Sequence, residues 1–428
     1  MPGRGFGMFR SILILAMVLF ALLVITLPAF TQKTTIEYAV WGQPYEIEME
    51  QKYLDLFMKN NPDINVTLTT APFGPHHEKL LVRIAGGNAP DVFVLSELAV
   101  TQYIQRQLLA NLDQYIQKDN IDLTQFYDAC LSYVDSAGEP NAIGKRGGSI
   151  YGLPTWNSPC LISVNLDMME EAGLTVNEDW DWNMFLDYCK KLTKDNNGDG
   201  ITERFGTQNV LAWQPAAWSF VAGNGGKWFN DEETEAKLTS PKTLEAYQFL
   251  ADMSLVHHVA PNNRERKGWA LAEEFVGKHV ASAWSHPWGL EAWSGAEFEW
   301  TPVLPPMKDG KRALEFETCT IGMYANTKFP EEAWKLVKFL GTDPECLQIM
   351  LDYNVAPAIK SWADKVSDPK MKKFIESMAF GVAPQFIAQW PEVEEILNSE
   401  LDLVSEEKAT VEEALSAAQS KVNDLLQE

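Results

Sequence analysis

The sequence predicts an α/β protein of two lobes, and three observations carry that reading. Strand-like and helix-like segments alternate from residue 33 onward, the order of parallel sheets covered by helices and not of an all-β sandwich. A chain of 428 residues is too long for one hydrophobic core, and an apolar content of 46% supplies two. Two extended runs, IYGLPTWNSPCLISVN from Ile150 and EWTPVLPP from Glu299, stand where the chain would cross between lobes and come back.

The first segment, residues 1–31, reads as an export leader. Seventeen uncharged and mostly apolar residues, Ser11 to Leu27, follow Arg4 and Arg10, as in a secretory signal; the run is short for a membrane span. Cleavage after Thr31 places Ala29 and Thr31 at the two specificity positions. Phe30 and the lack of a clean A-x-A leave an uncleaved anchor as the alternative. No cysteine follows the apolar run, so the usual bacterial lipid attachment has no acceptor there.

After the leader, KTTIEYAVWG reads as a strand ending in an aromatic. Pro44 then opens a helix whose one face carries Ile47, Leu54, Phe57 and Met58. NPDINVTLT is a stop and a second strand, and NAPDVFVL a buried third. Leu98 to Tyr115 has helical spacing closed by DNIDL. Residues 135–149, rich in Gly and charge, form a surface loop before the first crossing. Following the return, FETCTIGMYAN is a strand, and Ala333, Trp334, Val337 and Leu340 line one helix face. A helical C-terminus begins near Val393. Its last helix starts with a capping box, Thr410 with Glu413, and carries an apolar stripe at Val411, Leu415, Ala418, Val422 and Leu425.

Charge narrows the partners. There are 35 basic and 59 acidic side chains, net −24; loss of Arg4 and Arg10 with the leader would leave 33 basic residues and a net charge of −26. Nucleic acid is excluded on that surface because polyanions repel it. Cys130, Cys160, Cys189, Cys319 and Cys346 form no C-x-x-C, so no zinc or thioredoxin-like motif is suggested. They read as small buried hydrophobes, with a disulfide as the alternative that export allows. No G-x-S-x-G, H-E-x-x-H or P-loop occurs, and no acid pair recurs in the signature runs. The chain therefore reads as no enzyme; a secreted glycosidase is the catalytic alternative.

Four stretches, NAPDVFVLSE (88–97), YGLPTWNSPCLISVN (151–165), GKHVASAWSHPWGL (277–290) and FETCTIGMYANTKFPEEAWKLVKFL (316–340), resemble the extracytoplasmic solute-binding proteins of ABC transporters, specifically the carbohydrate-binding group that includes maltodextrin-binding protein. The resemblance covers the chain beyond the leader. It implies a two-lobed periplasmic-binding-protein fold, each lobe a mainly parallel sheet flanked by helices and joined by hinge strands. The expected division is 32–153 and 305–348 for the N-terminal lobe, 154–304 and 349–428 for the C-terminal lobe. It further implies a ligand in the cleft, closure on binding, a monomeric chain at the periplasmic or extracellular face, and delivery to permease subunits.

A sugar presents apolar C–H faces and a hydroxyl rim, so its site needs flat aromatics beside carboxylates, amides or hydroxyls. Trp41, and Ser96 with Glu97, stand at the carboxyl ends of strands, where open α/β sheets bind ligands. Trp288 in SHPW, beside His286, matches the loop in which the family offers an aromatic platform; packing under a proline turn is the structural alternative. Trp284 lies in the strand before it. Trp390, before Pro391, matches the family's late aromatic, against lobe packing. Trp156 and Asn157 sit in the crossover, where a rigid Pro-flanked connection explains them equally. Trp213 and Gln214 precede a Gly-rich turn where the family adds another stacking side chain, a role Trp218 contests. Glu317 opens the returning strand. Phe73, His76 and His77 follow the second strand as ligand contacts or solvated residues, not a metal pair.

KDNNGDGITERFG offers Asp195, Asn197, Asp199 and Glu203 in the order of a calcium loop, with Gly200 at the turn. Gly206 occupies the position of the closing bidentate Glu, and an acidic turn explains the same residues. No cofactor is required, calcium being the one structural ion the motif suggests. Among ligands, a neutral mono- or oligosaccharide fits the aromatics and polar groups together. Glycerol phosphate would need cations, of which Arg264 and Arg266 are the nearest cluster, and a polyamine would need more carboxylates than Glu97 and Glu317.

Overall fold

The computed structural model describes residues 33–136, 148–195, 198, 201–266 and 268–427. The leader segment lies outside the described residues. Two sheets, each with its own core, organise the chain.

The first sheet is built from β1 (Thr34–Trp41), β2 (Ile64–Ala71), β3 (Val92–Ser96), and the later strands β6 (Gly152–Pro159) and β10 (Phe316–Met323), in the order β2-β1-β3-β10-β6. A two-stranded ribbon, β4 (Asp135–Ser136) with β5 (Ser149–Ile150), precedes β6. β1 pairs parallel with β2 and β3. β10, re-entering from the other half, runs antiparallel to both β3 and β6. The carboxyl ends of β1, β3 and β6 and the amino end of β10 thus share one edge of the sheet.

The second sheet is smaller: β7 (Leu161–Asn165) between β8 (Ser282–Ser285) and β9 (Trp300–Val303). Both of its pairings are antiparallel, where a mainly parallel sheet was expected. Its strands are four or five residues long, and short, largely buried runs of that length do not reveal strand direction.

Local chemistry explains the elements. Pro44 sits at the first position of helix Pro44–Asn60, where its missing N–H costs nothing, and the Glu46 carboxylate accepts the Gln43 backbone N–H at 2.6 Å. Helix Val411–Leu425 has its reciprocal box: Thr410 Oγ1 accepts from Glu413 N–H, and Glu413 accepts from Thr410 N–H at 2.9 Å. The single helix expected over Leu98 to Tyr115 is two, Glu97–Gln105 and Asp113–Asp119. Gln107 breaks it at φ +56°, and Leu109 then bridges to Tyr324 beside β10; sheet pairing overrides helical spacing here.

The first core packs Tyr38, Leu54, Phe57, Val94 and Trp334 around the five-stranded sheet. Trp334 stacks on Tyr115 at 5.4 Å and donates to Asp119 Oδ2 at 3.0 Å. The second core is richer in aromatics, with Trp182, Phe220, Trp228, Trp284 and Trp390 against helices Trp390–Ser405 and Val411–Leu425. All five cysteines are buried and unbridged. Besides β6–β7 and the return through β10, a third strand of contact joins the halves: Asn157 N–H donates to Ala356 O at 3.1 Å and Ala358 N–H to Thr155 O at 3.0 Å.

Candidate ligand-binding cleft

A cleft of about 550 Å³ opens at the shared sheet edge, walled on one side by helix Pro44–Asn60 and on the other by the segment 287–300. This is the volume range of small-molecule sites. The first half contributes Trp41, Tyr45, Glu46 and Glu50; the second contributes Trp288, Glu291, Trp293 and Trp300; the crossing strands floor it with Trp156, Asn157, Ser158 and Glu317.

Trp41 is fixed by its neighbours. Phe73, His76 and His77, on helix Phe73–Ala85, surround its ring with centroids at 5.2–5.4 Å. His76 Nε2 meets Val94 O at 2.9 Å, and His77 Nε2 accepts the Ser96 N–H at 3.2 Å. Burial, then the adjacent His76, pushes His77 down to about 3, so it stays neutral in that role. The histidine pair thus buttresses the tryptophan, His76 buried and His77 half-buried.

Across the cleft, Trp288 caps the short helix Gly289–Ala292 and is 38% exposed, an open aromatic face. Trp293, buried behind it, holds it edge-on at 6.4 Å and in turn meets Trp300 at 5.3 Å. Gly289 is required there, since a Cβ would come within 2.5 Å of the Ser285 hydroxyl. Tyr45 faces this wall; burial and the anions of Glu46 and Glu291 push its phenol up to about 12.

On the floor, the Ser158 hydroxyl donates to Glu317 Oε2 at 3.3 Å. Asn157 donates to Pro357 O at 3.3 Å, while its Oδ1 is buried without a protein partner, leaving an acceptor for a ligand hydroxyl. Glu97 lies beneath. It accepts the Thr318 N–H at 3.2 Å, and burial plus the nearby Glu317 push its carboxyl up to about 8. Deep in the cleft wall, Tyr38 donates to Glu50 Oε2 at 3.0 Å, and enclosure pushes Glu50 up to about 8.

Of the residues singled out from sequence, Trp41, Trp156, Asn157, Trp288 and Glu317 line the cleft. The others are placed elsewhere. Ser96 and Glu97 are buried under its floor. Trp284 is 1% exposed and packs on Phe220 at 5.4 Å. Trp390 stacks on Trp228 at 4.7 Å, which makes it core and not cleft wall. Gln214 is buried, accepting from Tyr247 at 2.9 Å and donating to Asn398 at 3.0 Å. Trp213 is half-buried and meets His286 edge-on at 6.1 Å, outside the lining. Trp218 is also core, donating to Val382 O at 2.9 Å. His286 is fully buried behind Glu317.

The calcium loop is described only in part. Asn197 and Asp199, with Gly200, lie outside the described residues; Asp195 accepts the Gly198 N–H at 2.6 Å, a turn contact.

Sequence reasoning missed Tyr45, Glu46, Glu50, Glu291, Trp293, Trp300 and Lys370. Lys370 is the one lysine or arginine among the described lining residues, held over the Trp300 ring at 4.1 Å. Arg266 is engaged elsewhere, with Glu274 at 2.5 Å.

Two sheets on separate cores, crossed by strands that floor an aromatic cleft, define a two-lobed binding protein. Residues 42–345 match the pattern of the bacterial extracellular solute-binding proteins, and the chain belongs to that family. It is 24% identical over 352 residues to the maltotriose-binding protein of Pyrococcus abyssi, covering 80% of this chain and 70% of that one. An ABC substrate-binding protein of Listeria monocytogenes, solved with cycloalternan, superposes with a TM-score of 0.79 at 26% identity, over 92% of this chain and 99% of that one. The cyclic alpha-maltosyl-1,6-maltose binding protein of Arthrobacter globiformis, at 20% identity, 92% and 99% coverage and a TM-score of 0.77, shares the fold.

Proposed function

We propose that the chain is the solute-capturing component of an ABC importer, acting outside the cytoplasm on a sugar or oligosaccharide held between its lobes. The observation that carries this is the pairing of Trp41 and Trp288 on opposite walls with Asn157 and Glu317 on the floor: flat apolar faces for the sugar ring, polar atoms for its hydroxyls. Family membership, a relative named for maltotriose and one solved with cycloalternan support the same ligand class. An open form exchanges solute with water. Ligand contacts made on both walls at once stabilise a closed form, which the permease recognises.

The wall chemistry supports one second reading. Glu46, Glu291, Glu299, Glu317 and Asp368 stand with a single lysine, Lys370, in the lining, a balance that suits a polyamine and disfavours a phosphate ester. Tryptophan fluorescence and melting temperature across oligosaccharides, polyamines and glycerol phosphate separate these. A saturable shift with oligosaccharides and no product formed supports the proposal; a response to polyamines alone moves the assignment to the second reading.

A further inference from the structure

Directly behind the cleft floor, three chain segments converge at the crossing between the lobes. Cys160 lies between β6 and β7, His286 follows β8, and Glu315 immediately precedes β10. The ligand atoms of these three side chains all lie within 4.8 Å of one another, and the residues are 0%, 0% and 1% exposed.

We propose that Cys160, His286 and Glu315 form a site for a divalent transition metal, zinc by the chemistry of its donors, that clamps the two crossing strands together. The tautomer is set for it. His286 Nδ1 meets the Ser158 carbonyl at 2.6 Å, which places the proton on Nδ1 and turns the Nε2 lone pair inward, the arrangement that orients metal-binding imidazoles. Nε2 is buried without a hydrogen-bond partner, as is Glu315 Oε2. These two atoms are 3.5 Å apart. That is long for a hydrogen bond but close to the edge of a tetrahedron with arms of about 2.0–2.1 Å, roughly 3.4 Å.

Glu317 Oε1 is also 3.5 Å from Nε2 and partly exposed on the cleft side, so it offers a fourth ligand and a route inward. Among the described ion pairs, Glu315 has no lysine or arginine, and a dication supplies the missing charge. Thiolate with imidazole and carboxylate selects zinc over calcium or magnesium.

The test uses the purified protein, stripped with chelator and titrated with zinc chloride or cobalt chloride alone, read by metal content, melting temperature and absorption spectrum. The expected result is one equivalent of zinc per chain, a raised melting temperature, and a thiolate-to-cobalt charge-transfer band with cobalt. Cys160→Ser should abolish that band, and Glu315→Gln should weaken zinc binding by about 10–100-fold or more. Absence of a saturable equivalent in the parent protein, or a cobalt spectrum without a thiolate band, overturns the proposal even where the variants fail to fold. Zinc binding that persists unchanged in both folded variants also overturns it. Sugar titrations on the same samples are read separately, so failure of the metal site leaves the ligand assignment standing or falling on its own data.

Discussion

Ser158 and Glu317 are register partners across β6 and β10, and the serine hydroxyl donates to the glutamate carboxylate at 3.3 Å. The two strands that join the lobes thereby hold an acceptor at the cleft floor. Glu317→Gln should weaken oligosaccharide binding about tenfold or more, since a hydrogen bond to a charged group contributes about 1.5–3 kcal/mol. Isothermal titration checks it; unchanged affinity would remove Glu317 from the site.

Trp288 exposes its face while Trp293 holds its edge. Trp288→Ala should weaken binding by roughly tenfold, from lost stacking of about 0.5–1.5 kcal/mol and lost area. The melting temperature should move little. Trp288→Phe should restore much of the affinity.

Trp390 gives the opposite pattern. Its burial against Trp228 and Phe386 means that Trp390→Ala should cost about 3–5 kcal/mol of stability through cavity formation. Denaturant unfolding measures this, and affinity in the folded protein should be retained.

Glu50 confers a pH dependence whose sign follows from its environment. Its ordinary value is near 4.5, and enclosure in the cleft wall raises it to about 8 despite the Tyr38 hydrogen bond. The native state therefore holds more protons than the unfolded state between those values, so stability falls as pH rises through the window, by at most about 1.4 kcal/mol per pH unit. Relative to the parent, Glu50→Gln should gain stability progressively from pH 5 to 8. A parallel pair of unfolding profiles would contradict this.

Much of this architecture is legible from residues alone. Pro44, the turn before Ile64 and the box at Thr410 mark element ends by local rules, and helices begin and strands form where those rules place them. Trp41 and Trp288 were reachable because one ends a strand and the other starts a short helix after one, and Trp156 because it lies in the crossing strand. Tyr45, Glu46 and Glu50 were not, because on an amphipathic helix the face toward a cleft has the spacing of a face toward solvent. Trp390 was drawn toward the site by its place before Pro391 and Trp284 by its strand before the SHPW loop, but both pack in the aromatic-rich second core. The crossing expected at 153/154 falls inside β6, and Met350, Ala358, Ile359 and Trp362 pack in the first core. Core membership of a returning segment depends on long-range contacts that no local pattern encodes.

The most direct test of the central claim is calorimetric titration of the purified protein with an oligosaccharide series, beside Trp288→Ala. Saturable binding of one oligosaccharide per chain, weakened about tenfold in the variant with the melting temperature kept, is the expected result. Absence of binding across the series, or equal affinity in parent and variant, would contradict a sugar held against Trp288 between the lobes.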